Sequence, residues 1–109
     1  MPPIHKRAIE LVEREAALAA LRGDGRLAVR IGFEFAHANH FEEAGYWYLI
    51  AAENGSGVGM QHVALSVAEY DCRRAIYWLR KAIDSGDLRG QAQEANKKTL
   101  SSWEASCGE

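Results

Sequence analysis

Ala44, Trp47, Tyr48, Ala51 and Ala52 recur at intervals of three and four residues, as do Ala75, Trp78, Leu79, Ala82 and Ile83. That spacing gathers each set on one face of a helix. The first stretch, Ala44-Gly45-Tyr46-Trp47 onward to Gly55, returns 31 residues later as Ala75-Ile76-Tyr77-Trp78 onward to Gly86, with Ala, Tyr, Trp, Ala and Gly in the same places. Each copy closes on a polar residue and glycine, Asn54-Gly55 and Ser85-Gly86, where a residue free to take positive φ stops a helix. A period of this length marks a supersecondary unit that cannot bury its apolar face alone and stacks on a copy of itself.

The punctuation predicts six helices. The first runs from Ile4 to Leu21 and ends at Gly23-Asp24-Gly25; Leu18 to Gly23 echoes Ile50 to Gly55, which makes it a degenerate copy of the unit's second helix. Asp24 is the expected N-cap of the second helix, Arg26 to Asn39, and the third spans Glu42 to Asn54. Gly55-Ser56-Gly57-Val58-Gly59 reads as an inter-repeat loop opening a fourth helix, Met60 to Glu69. Asp71 caps the fifth, Cys72 to Asp84, and Asp87 the sixth, Leu88 to about Glu104. No period-two alternation survives inspection, which excludes strands. Small alanines admit a neighbouring helix, and Trp47 and Trp78 are the expected wedges between stacked hairpins.

Small residues bracketing an aromatic pair, then Ala-Ala or Lys-Ala, an acidic residue and a closing glycine, resemble the second helix of a Sel-one-like repeat, a relative of the tetratricopeptide repeat. The residues that carry the likeness are Ala44, Trp47, Tyr48, Ala51, Ala52 and Gly55, then Ala75, Trp78, Leu79, Ala82 and Gly86. It extends into Leu27, Ala28, Ile31, Gly32 and Phe35, and into Val63, Ala64, Leu65 and Val67, as the first helix of each unit. The resemblance covers roughly residues 24 to 100. It implies an all-α, right-handed α-α superhelix, or solenoid, of about six helices. The units would be 24–55 and 56–86, flanked by half-units 4–23 and 87–106, all within one domain over 1–109. It also implies protein binding, as adaptor, enzyme regulator or, in bacteria, immunity protein against a secreted toxin.

Composition narrows the classes. With 109 residues, 48% of them apolar and only two prolines, the chain can bury a core. No apolar run is long enough to span a membrane, and Glu10, Glu13 and Glu15 interrupt what would be a signal peptide's apolar core, so the expected home is the cytoplasm. Cys72 and Cys107, of unlike context, read as free thiols there. A net charge of −2 argues against a general nucleic-acid binder.

Candidate chemistry is sparse. His37, His40 and Glu43 stand at metal-ligand spacing, but the set straddles a predicted helix end and nothing completes the sphere. The 55–59 glycines follow a helix rather than a strand and lack the Gly-Lys-Ser of a phosphate loop. Cys72, beside Arg73 and Arg74, has the setting of an activated thiol without a histidine near it in sequence. No catalytic centre, cofactor or metal is therefore expected.

Two surfaces suit a partner protein instead. One is the groove along the first helices of the units, where Arg30, Phe33, Glu34 and His37 share a side, with Gln61 and Leu65 as their stacked equivalents. Phe33 and Phe35 point in nearly opposite directions, and Phe35 aligns with the packing stripe of Ala28, Ile31 and Ala38, which leaves Phe33 for the groove. The other surface carries Tyr46 and Tyr77, accompanied by Leu49, Ile50 and Ile76, with Arg80 and Lys81. Either these tyrosines pack against the next unit or they are exposed. A monomer or weak dimer that blocks one partner protein, a toxin, effector or enzyme, is the expected function, with an adaptor as the alternative.

Overall fold

The computed structural model describes residues 23–107, and among these it is all-helical. Five helices follow one another: α1 (Gly25–His37), α2 (Phe41–Glu53), α3 (Gly57–Val67), α4 (Cys72–Asp84) and α5 (Gly90–Cys107). The helix expected over 4–21 lies outside the described residues. Helix α1 packs along α2 and α3 along α4; α2 also packs on α3, α5 on α4, and α1 touches α3.

Side-chain caps start three of the helices in the same way. Asp24 Oδ1 accepts from the Leu27 amide at 3.1 Å, Ser56 Oγ from that of Gly59 at 3.0 Å, and Asp71 Oδ1 from that of Arg74 at 3.1 Å. Each satisfies one of the amides that the first turn leaves without an intrahelical partner. Gly23, Gly55 and Gly86 all have positive φ, at 64, 91 and 79°, and the last two close α2 and α4.

Two helix starts differ from the expectation by more than one residue. Helix α3 begins at Gly57 rather than Met60, so two glycines assigned to a loop are helical. They serve close approach: a Cβ at Gly59 would lie 2.8 Å from both the Ala51 Cβ and the Ala52 amide nitrogen of α2, and one at Gly57 would overlap Ser85 and Asp87. Helix α5 starts at Gly90, whose φ of 61° breaks the helical path from Leu88, and Asp87 does not cap it. The Asp87 carboxylate reaches back 30 residues and accepts the Gly57 amide at 2.7 Å.

The core joins Ala28, Val29, Ile31 and Phe35 of α1 to Ala44, Trp47, Tyr48, Ala51 and Ala52 of α2 and to Met60 and Val63 of α3. Leu79 and Ala82 of α4 and Leu88 are also buried. Trp47 is 5% exposed. Trp78, in the equivalent register, is only half-buried at the edge of this core, so the two wedges expected to match do not.

The cysteines are the larger correction. Cys72 and Cys107 form a disulfide, with Cα atoms 6.0 Å apart, inside the usual range for such bonds. The free-thiol expectation failed because α5 returns along α4 and sets its last residue beside the first residue of α4, a juxtaposition of positions 35 residues apart.

Candidate functional site

The first expected surface is partly committed to the fold. Arg30, Glu34 and His37 are exposed on α1. Phe33, 38% exposed, leans edge-on against Tyr48 at 5.7 Å and His62 at 5.5 Å between ring centres, while Tyr48 and His62 stack at 4.3 Å. Phe35 is buried, as the helical register requires. Gln61 donates to Asn96 Oδ1 at 2.9 Å and so ties α3 to α5 rather than standing ready for a partner.

Burial in this aromatic stack lowers the His62 pKa from its usual 6.5 and raises that of Tyr48. A histidine whose folded pKa lies below its unfolded one leaves the unfolded chain to take up the proton first. The stability it contributes is present above pH 6.5 and is lost as pH falls through the lowered folded value. Thermal melts from neutral pH to about pH 5 should show a falling Tm, with part of that dependence removed in His62→Gln. An unchanged pH profile in the variant would disprove the assignment.

The second expected surface is divided. Tyr46 and Tyr77 are 64% and 53% exposed, which resolves the alternative left by the sequence. On α4, however, Lys81 Nζ lies over the rings of Tyr77 at 5.3 Å and Trp78 at 5.6 Å, and Arg80 forms an ion pair with Glu104 of α5. Both cations have intramolecular partners. Tyr46 instead lines a groove to which neither Tyr77, Arg80 nor Lys81 contributes.

This groove, about 500 Å³ in volume, lies between α2 and the C-terminal half of α3, with Arg74 of α4 also on its lining. Phe41, Tyr46 and Leu49 of α2 face Val63, Val67 and Tyr70, and the lining is mainly apolar. Phe41 is 67% and Tyr70 77% exposed. The Tyr70 and Asp71 amides both donate to the Val67 carbonyl, at 3.2 and 2.8 Å, and this tight turn holds Tyr70 at the rim before Asp71 caps α4.

Gly45 lies on the groove wall between Phe41 and Leu49, one helical turn from each. Unlike Gly32, Gly57 and Gly59, where an added Cβ would meet atoms at 2.8 Å or less, Gly45 has nothing within 4 Å of that position. A glycine inside a helix costs about 1 kcal/mol relative to alanine, and no internal contact requires this one.

Leu49 was expected beside Tyr46, whereas Phe41, Val67 and Tyr70 were absent from the expected site. Phe41 and Tyr70 fell in segments read as linkers, and their signal was that the repeat gives neither aromatic an equivalent or a packing task. Among the described residues no three His, Cys, Asp or Glu side chains converge to hold a metal ion; His40 Nδ1 and Glu43 Oε2 are 4.0 Å apart. Nor, among these residues, is any helix long and apolar enough to cross a membrane. No family model, curated protein or solved structure matches this chain.

Proposed function

We propose that the chain is a non-catalytic binding module, a right-handed superhelix of Sel-one-like hairpins, that occupies and blocks one partner protein in the manner of an immunity or inhibitor protein. The observation that carries this is the exposed aromatic groove with an unfilled position at Gly45. Monomeric proteins seldom expose large contiguous apolar patches without a use, and aromatic anchors around a cleft are the usual centre of an interface. Two further features support the repeat reading. Glycines of positive φ stand at 23, 55 and 86, and the Tyr46–Trp47 and Tyr77–Trp78 pairs are both edge-on, at 87 and 81°. The cytoplasm remains the proposed compartment, and the protein acts there as a monomer or weak dimer.

The test uses a partner captured on the intact protein and then purified. Titration calorimetry should show Tyr70→Ala and Gly45→Gln each weakening that complex by about 2 kcal/mol or more, roughly thirtyfold, with circular dichroism unchanged. The partner's own activity should fall on mixing with the parent protein and survive mixing with either variant. Full affinity in both variants would exclude the groove. A loss confined to Phe33→Ala or to Tyr77→Ala would move the interface to the α1/α3 face or to α4.

A further inference from the structure

We propose that the Cys72–Cys107 disulfide is a redox-responsive staple on which the docking of α5 depends. Helix α5 brings little apolar surface of its own to the interface. Of its 18 residues only Asn96 is buried, while Leu100 and Trp103 are half-buried. Its inward side is polar. Gln93 Nε2 donates to the Ile83 carbonyl at 3.0 Å and Asn96 Oδ1 accepts from Gln61, yet Gln93 Oε1 and Asn96 Nδ2 are buried without a partner. A buried polar atom left unpaired opposes docking, because it has given up its hydrogen bonds to water.

What holds the element is concentrated at its two ends. Just before α5, Leu88 is buried in the core and Asp87 accepts the Gly57 amide. At its end, Cys107 is bonded to Cys72, and the exposed Arg80–Glu104 pair nearby adds little in water. Both cysteines are half-buried rather than enclosed, so a small thiol can reach the bond.

The chemistry is thiol–disulfide exchange with a small-molecule thiol of the glutathione class. Its thiolate attacks one protein sulfur, the Cys72–Cys107 bond breaks, a mixed disulfide forms and the other cysteine leaves as thiolate. A second thiol cleaves the mixed disulfide. The protein has then gained two electrons and two protons, and the small thiol has become its own disulfide; oxidation runs the sequence backward. In a reducing compartment the C-terminal half of α5 is released from α4, and oxidation fastens it.

Peptide mass spectrometry without reductant on the oxidised chain should show the Cys72–Cys107 link, and reduced glutathione added to the native protein should liberate two thiols. Hydrogen exchange of residues 96–107 should then accelerate by about tenfold or more, with 41–67 unchanged. Cys107→Ser should show the fast exchange in both conditions. The proposal is overturned if the link is absent, if native protein resists glutathione, if exchange in 96–107 does not respond, or if protection is lost throughout α1 to α4, which would make the bond a support of the whole fold.

Discussion

Trp47→Ala should destabilise the protein by about 3 to 5 kcal/mol, a large part of what a domain of this size has. The ring is 5% exposed and belongs to the cluster that joins α1, α2 and α3. The alanines that share its core cluster, Ala44 and Ala51 one helical turn away on α2 among them, cannot extend to fill the space that its removal would leave. Trp78→Ala should cost markedly less, about 1 to 2 kcal/mol, because that ring is half-buried at the core edge with Lys81 lying over it. Urea unfolding of both variants measures the difference through the shift in midpoint. Equal losses would mean that the two tryptophans play the same part after all.

The second large effect concerns two glycines with opposite outcomes. Gly59→Val should cost about 3 kcal/mol or more through overpacking. The atoms in its way include the Ala52 amide nitrogen and the Tyr48 carbonyl oxygen, at 2.8 and 2.9 Å from an added Cβ, and backbone cannot turn aside as a side chain can. The α2–α3 crossing would have to open. Gly45→Ala should stabilise by up to about 1 kcal/mol, since it adds helix propensity in open space. Thermal melts of the two variants should move apart; destabilisation by Gly45→Ala would show that its site is filled in solution.

The contrast shows what could be read before the fold was known. Periodicity marked the helical faces, because a residue's place on a helix depends only on its index. Phe35 is accordingly buried and Phe33 exposed, two positions apart on α1. Caps were legible for the same reason: Asp24 and Asp71 act on amides three residues ahead, within one turn.

Contacts between helices were not legible in that way. Glycine has one symbol in the sequence whether it ends a helix, as Gly55 does at φ 91°, or lets two helices touch, as Gly59 does. The residue types of 55–59 suggested a loop, and only the nearness of α2 to Gly59, and of Ser85 and Asp87 to Gly57, explains why these helical positions carry glycine. Phe41 begins α2 and Tyr70 stands in the turn after α3, and the groove they frame exists only once α2 lies against α3.

By itself the sequence determined the helical faces, two of the side-chain caps and the equivalence of Trp47 with Trp78, all consequences of spacing along one chain. The tertiary structure decided how deeply each tryptophan is buried, which partner Arg80, Gln61 and Asp87 take, and that Cys72 meets Cys107. Those outcomes depend on which neighbour a helix face receives. Trp47 lies in an apolar core to which α1, α2 and α3 give most of the residues, whereas α4, which carries Trp78, is flanked on its far side by an α5 that turns mainly polar residues inward.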